Sequence, residues 1–204
     1  MRFIVLNNYV DQVKFAPQME NLRAQVKSNC GATEIETVGY QNFSEYAKSR
    51  KADFDAVVMS GSEALYSKAD DRSKFLGAIE ATRIVDLPIL GICGGHQLIG
   101  MAYGERVVSI DTTIKSYRNV EILNDDPLFE GLPKLISVME SHQEMVERAP
   151  RGFQLLARSD DTSVEAFRKS DRILYGVQFH PERNDAEHPA GATVLTNFGR
   201  LVKR

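Results

Sequence analysis

The sequence predicts an α/β protein in which a central, mostly parallel sheet is flanked by helices and extended by additional antiparallel strands. Three observations carry that prediction. Over the first two-thirds of the chain, short apolar runs rich in β-branched residues alternate with longer stretches of helical period, as parallel strands joined by crossover helices do. From Arg106 to Phe179 the texture changes to closely spaced short strands, which reads as antiparallel pairing. A last apolar set, Val194, Leu195, Phe198 and Leu201, recurs at helical spacing and predicts a closing helix that packs back on the sheet.

In chain order, the apolar runs place strands at Phe3 to Leu6, Thr33 to Val38, Ala56 to Met59 and Pro88 to Ile92. Helices are predicted over Val13 to Lys27, Phe43 to Lys51 and Arg72 to Val85, and helix-forming residues again follow Cys93. The antiparallel part contributes Val107 to Ile110, Val120 to Ile122, Ile136 to Met139, Gln154 to Ala157 and Leu174 to Phe179. The closing helix covers about Ala192 to Val202. There is no internal repeat, low-complexity tract or linker, and 204 residues match the prior of about 100 to 200 residues per domain, so residues 1–204 are expected to form a single domain.

Composition excludes several function classes. The chain is 43% hydrophobic and 26% charged, as globular proteins are, so neither disorder nor a fibrous fold is indicated. A net charge of -3, with basic residues scattered along the chain, lacks the positive excess that draws in a phosphate backbone, and no nucleic-acid partner is expected. No apolar run approaches the roughly 20 residues needed to cross a bilayer, and the start turns polar too soon for a signal peptide. The reading is cytoplasmic, with no membrane partner. Two cysteines, Cys30 and Cys93, make no disulfide framework, which leaves a thiol available for chemistry.

The segment Pro88-Ile-Leu-Gly-Ile-Cys-Gly-Gly-His-Gln-Leu-Ile-Gly100 runs an apolar strand into Cys93 and then into a helix. Gly91 and Gly95 flank the cysteine at minus two and plus two, the frame of a nucleophile elbow, whose tight turn needs positions without bulky side chains. At a helix N-terminus the thiol meets the positive end of the dipole and unpaired N–H groups, both of which favour thiolate. A buried, inert cysteine in a glycine-rich turn is the plain alternative. Cys30, before Gly31 at a helix end, is read as structural.

A thiolate nucleophile needs a proton carrier, and His180 ends the run Ile173-Leu-Tyr-Gly-Val-Gln-Phe-His180 before Pro181 stops the strand. Its ring is therefore expected at the carboxyl edge of the sheet, beside Cys93, where open α/β sheets gather their sites. Glu182, two residues on, is expected to reach the same face of an extended backbone and to orient the imidazole. A strand-end histidine and a solvated carboxylate are the plain readings of these two residues. Cys93 and His96 also have a ligand-like spacing, but no second paired-ligand element accompanies them and His96 should point along its helix away from the sulfur, so no metal is expected. His188, in the polar loop Arg183 to Pro189, is expected in solvent.

Gly91-Ile-Cys-Gly-Gly-His-Gln97 together with Tyr175-Gly-Val-Gln-Phe-His-Pro-Glu182 resembles the class I, or triad, glutamine amidotransferases, a family of flavodoxin-like α/β fold, and the resemblance covers nearly the whole chain. Within it, Glu140-Ser-His-Gln143, Leu156-Ala-Arg-Ser159 and Val177-Gln-Phe-His-Pro-Glu182 are most similar, in order and spacing, to the separate glutaminase subunit of GMP synthetase. The resemblance implies that Cys93 forms a γ-glutamyl thioester from L-glutamine, releasing ammonia, while His180 shuttles the proton and Glu182 orients His180. It implies an oxyanion hole from the backbone N–H groups of Gly94 and Ser62, and substrate binding by Gly61, Gln97, Ser141 and His142. It implies no cofactor, and a partner that uses the ammonia, a separate synthetase (ATP-pyrophosphatase) subunit.

The chain departs from the family pattern at several places. Ser60-Gly61-Ser62-Glu63 stands where the family reads Ser-Gly-Gly-Pro, so a side chain at Ser62 is expected to strain the loop that must present a backbone amide. Gly94 replaces a bulkier apolar residue, Asn7-Asn8-Tyr9 replaces a glycine-containing turn, and Arg183 to His188 only partly matches the family stretch. Two further readings therefore remain open: a hydrolase of another γ-glutamyl compound, and a binding or regulatory module of the same fold with weakened catalysis.

Overall fold

A computed structural model of the protein describes residues 1–50 and 53–203. Its elements are strands β1 (Arg2–Asn7), β2 (Glu34–Gly39), β3 (Ala56–Met59), β4 (Ile89–Ile92), β5 (Val107–Ile122), β6 (Leu135–Val146), β7 (Phe153–Arg158), β8 (Ala166–Lys169) and β9 (Leu174–Val177), with helices α1 (Ala16–Asn29), α2 (Phe43–Arg50), α3 (Ala69–Ser73), α4 (Leu76–Ile84), α5 (Gly94–Ala102) and α6 (Ala190–Val202). All nine strands join one sheet in the order β2-β1-β3-β4-β9-β8-β7-β5-β6. The five strands from β2 to β9 are parallel, and β8, β7, β5 and β6 continue antiparallel.

The parallel strands are apolar on both faces because helices cover both. In β1, Phe3 and Val5 join one buried cluster with residues of α1 and α6, while Ile4 and Leu6 join a second with residues of α2, α4 and α5. β3 alternates in the same way, with Ala56 and Val58 on one side and Val57 and Met59 on the other. Helix α6 packs with Val194, Leu195, Phe198 and Leu201 buried, as its spacing predicts.

The antiparallel extension curls back over the carboxyl edge of the parallel strands. Although β6 is last in the strand order, its Met139 carbonyl accepts a 2.8 Å hydrogen bond from the His180 amide just beyond β9. That return turns a sheet edge into a walled pocket.

Several elements differ from their sequence reading. The helix expected over Arg72 to Val85 is two, α3 and α4, broken where Phe75 turns fully inward to stack on Tyr40 at 4.1 Å and meet Tyr66 edge-on at 4.9 Å. The short strands expected at Val107 and Val120 are one strand, β5, whose polar middle is tolerated because most of its length is paired with β6 and much of it faces solvent, with an irregularity between Ser109 and Ile114. β9 ends at Val177, and β8 has no counterpart in the sequence reading. Lys51, the expected end of α2, lies outside the described residues. Among the described residues no helix is long and apolar enough to cross a membrane.

Candidate active site

Cys93 stands between β4 and α5 and is the one non-glycine with positive φ among the described residues, at φ 48° and ψ -101°. Such a dihedral costs on the order of 1–3 kcal/mol and persists only where the surroundings over-determine it. Here they do. The Cys93 amide donates to Val177 O at 2.9 Å, its carbonyl accepts from Gln97 N at 3.0 Å, and Gly95 N donates to Ser60 O at 3.0 Å. The turn closes so tightly that a Cβ on Gly91 would stand 2.6 Å from the Gly95 carbonyl, which explains the flanking glycines.

β9 pairs with β4 in register Ile92↔Val177, so the two strands end together and deliver Cys93 and His180 to one place. Both line a pocket of about 220 Å³ with Ser62, Gln97, Ser141 and His142. Gly61 lies between them: a Cβ built on it would stand 3.0 Å from His180 Cε1 and 3.8 Å from Cys93 Cβ. Cys93 Sγ is 3.8 Å from the Ser141 carbonyl oxygen. A larger cleft of about 740 Å³ along residues 122–134 has no cysteine or histidine in its wall.

His180 Nδ1 is 2.6 Å from Glu182 Oε1, and both side chains are buried. The two meet through a turn, with Arg183 N donating to His180 O at 3.1 Å, not through the extended backbone inferred from sequence. Pro181 ends the ladder and starts that turn. Burial opposes the charged imidazole, but the Glu182 carboxylate and the Cys93 sulfur outweigh it and lift the His180 pKa from 6.5 to about 10. Burial likewise works to raise the Glu182 carboxyl, yet the neighbouring His180 charge prevails and holds it below its ordinary value. The site thus favours an imidazolium between sulfur and carboxylate.

Ser62 does not have the strained backbone expected of it. Its φ is ordinary, and its hydroxyl donates to Asn8 O at 2.8 Å and accepts from Ala64 N at 3.1 Å. Asn8, fully buried, donates from its backbone to Ser60 Oγ and from Nδ2 to Ser60 O, and the Glu63 carboxylate accepts from Val10 N and Asp11 N. The unusual residues after β1 and after β3 are therefore one another's partners, and no single-sequence signal announces such a pairing. Gly94 fits the same contact, for a Cβ there would lie 2.7 Å from Ser62 N.

Gln97 donates from Nε2 to Glu144 O at 2.8 Å and to Gln178 Oε1 at 3.2 Å. His142 Nδ1 lies 3.0 Å from Glu144 O, a carbonyl that only accepts, so Nδ1 carries the proton. Its Nε2 is 3.0 Å from Glu140 Oε2. Burial pushes the His142 pKa down and lifts the Glu140 carboxyl from 4.5 to about 7, while burial and Glu140 together raise Glu165 well above the carboxylate range. His142 is therefore held in its neutral form beside a buried pair of carboxyls, and neither its Nε2 nor either Glu140 oxygen has a hydrogen-bond partner among the described residues.

The remaining histidines and cysteine stand apart. His96 is fully buried, stacks on Phe167 of β8 at 4.3 Å, and burial lowers its pKa to about 3. Among the described residues no group of three or more His, Cys, Asp or Glu could hold a metal ion. His188, expected in solvent, is half-buried, stacked on Tyr117 at 3.6 Å and 3.0 Å from Asp185 Oδ1. Cys30 donates to Leu195 O at 3.2 Å, and burial pushes its thiol up to about 12.

Comparison with known proteins bears on the family and the fold. The family model of class-I glutamine amidotransferases matches residues 17–200. A Pyrococcus furiosus protein, named as one subunit of a glutamine-hydrolyzing GMP synthase, is 44% identical over 116 residues, 57% of this chain and 61% of that protein, so the matched stretch spans less than two-thirds of that relative. The Archaeoglobus fulgidus protein of the same name is 37% identical over 153 residues, 74% of this chain and 78% of that one. A crystal structure from Thermoplasma acidophilum superposes with a TM-score of 0.81 at 24% identity, covering 100% of this chain and 94% of the other, which shows a common fold. The chain belongs to the class I glutamine amidotransferases.

Proposed function

We propose that this chain, acting as a single domain over residues 1–204, is a glutaminase subunit that hydrolyses L-glutamine through Cys93, His180 and Glu182. The observation that carries the reading is the meeting of Cys93 and His180 in one pocket, with Glu182 Oε1 2.6 Å from His180 Nδ1. The Cys93 thiolate attacks the side-chain amide carbon, and the backbone N–H groups of Gly94 and Ser62 receive the oxyanion. His180, holding Nδ1–H toward Glu182, gives a proton to the departing amine, leaving a γ-glutamyl thioester and ammonia. Water, deprotonated by His180, then cleaves the thioester and frees glutamate. Gly61, Gln97 and the backbone at Ser141 and His142 border the amino-acid end of the substrate.

The names of the relatives support a separate ATP-pyrophosphatase subunit of GMP synthetase as the consumer of the ammonia. A γ-glutamyl hydrolase or a catalytically weak module rested on a strained Ser62, and the ordinary φ and satisfied hydroxyl of that residue favour neither. The test measures glutamate released from L-glutamine by the chain mixed with an ATP-pyrophosphatase subunit. Folded Cys93→Ala is expected to release none, and release at the parental rate would falsify the assignment of the nucleophile.

A further inference from the structure

One fully buried side chain with no assigned role touches the Cys93 sulfur. Gln178, the first residue after β9, is 0% exposed, and its Nε2 lies 3.6 Å from Cys93 Sγ. Which end of its carboxamide faces the sulfur follows from a chain of partners with one possible polarity. The Glu144 carbonyl can only accept, so the Gln97 carboxamide turns its nitrogen toward it, at 2.8 Å. That same nitrogen stands 3.2 Å from the Gln178 carboxamide, which must offer its oxygen. The Gln178 nitrogen is then left facing the sulfur, and the orientation runs from a backbone atom of β6 to the nucleophile. The Gln178 backbone is fixed as well, its amide donating to Glu165 O at 2.7 Å.

We propose that Gln178 is a hydrogen-bond donor to the Cys93 thiolate, held in its donating orientation by Gln97. The inference rests on Cys93 being the nucleophile. A donor aimed at sulfur interacts more strongly with thiolate than with thiol, so it raises the thiolate fraction at a given pH. Of the titratable groups that act on the sulfur, His180 follows β9, Tyr9 follows β1 and Tyr66 follows β3. Glu63, His142, Glu144 and Arg183 complete the charged and titratable lining of the pocket. Neither glutamine titrates, so removing the carboxamide leaves that ionisable set intact and isolates the hydrogen bond.

The test is the pH profile of iodoacetamide capture of Cys93, read by peptide mass spectrometry with Cys30 as internal reference, in the parent and in Gln178→Met. The expected result is a profile displaced upward by about one pH unit, a tenfold smaller thiolate fraction on the rising limb, with the plateau rate at high pH unchanged. Glutamate release should fall by a similar factor in kcat, with KM little changed. Should Gln178→Met not fold, Gln97→Met removes the group that orients Gln178 and is expected to move the profile the same way. Superimposable profiles in a folded variant overturn the proposal, whereas parental glutamate release by Cys93→Ala would instead remove the nucleophile reading beneath it.

Discussion

Gly94 lies so close to Ser62 that a Cβ built on the glycine would stand 2.7 Å from the Ser62 backbone nitrogen and 2.8 Å from its Cβ. The elbow and the loop after β3 are thus held at a separation that only a residue without a side chain permits. Gly94→Ala must push them apart and separate the two proposed oxyanion donors. Loss of one such donor costs about 10²- to 10³-fold in kcat. Steady-state glutamate release should show a drop of that order, while Ser62→Gly, which adds no bulk, should stay within a few-fold of the parent.

Glu182→Gln takes the charge from beside His180 while keeping the shape. A group whose folded pKa is raised, here from 6.5 to about 10, contributes stability that is fully present below about pH 6.5 and lost as pH rises through about 10. Urea unfolding between pH 7 and 10 should therefore show the parent losing stability more steeply than the variant. Activity should fall by about 10²-fold or more, because the imidazole loses the carboxylate that orients it.

Glu140→Gln isolates a second titration. The buried Glu140 carboxyl, lifted from 4.5 to about 7, contributes stability present below about pH 4.5 and lost as pH rises through 7. Glutamine keeps the shape of the side chain but has no proton to lose. From pH 4.5 to 7 the variant should gain on the parent, at a rate of up to about 1.4 kcal/mol per pH unit. Parallel unfolding curves across that range would show that the carboxyl ionises freely.

Tyr117 secures the loop that follows Glu182. Its hydroxyl lies 2.7 Å from Asp185 Oδ2 and 3.0 Å from Arg183 O, and its ring stacks on His188. Tyr117→Phe keeps the stack and removes the hydroxyl, so a loss of about 1 kcal/mol in unfolding free energy is expected. Limited proteolysis should find faster cleavage within residues 183–188, and unchanged cleavage would mean that the ring stack and the contacts with Asn21 and Gln25 of α1 hold the loop without the hydroxyl.

The sequence is most legible where burial on both faces writes a continuous apolar run, as in β3, whose limits at Ala56 and Met59 match that run residue for residue. It is least legible where a distant partner decides. Phe75 breaks α3 from α4 because Tyr40 and Tyr66 receive its ring, and neither is a neighbour in sequence. β8 is four residues, Ala166 to Lys169, too short to set up a period and half-covered by basic side chains. At the site, the glycines around Cys93 and the run into His180 mark a turn and a strand end locally. Asn8, Glu63 and Gln178 carry no such mark, since each matters through contacts made across the fold. The approach of Glu182 to His180 follows from their spacing for a different geometric reason than extended backbone supplies: two extended residues and a tight turn both bring them together.

The dihedral imposed on Cys93 exists only while β4, β9 and the Ser60 carbonyl enforce it. A chain still emerging from synthesis carries an ordinary cysteine there, with no helix end beneath it and no imidazole beside it. The reactivity proposed for this sulfur would therefore be acquired only with the native state.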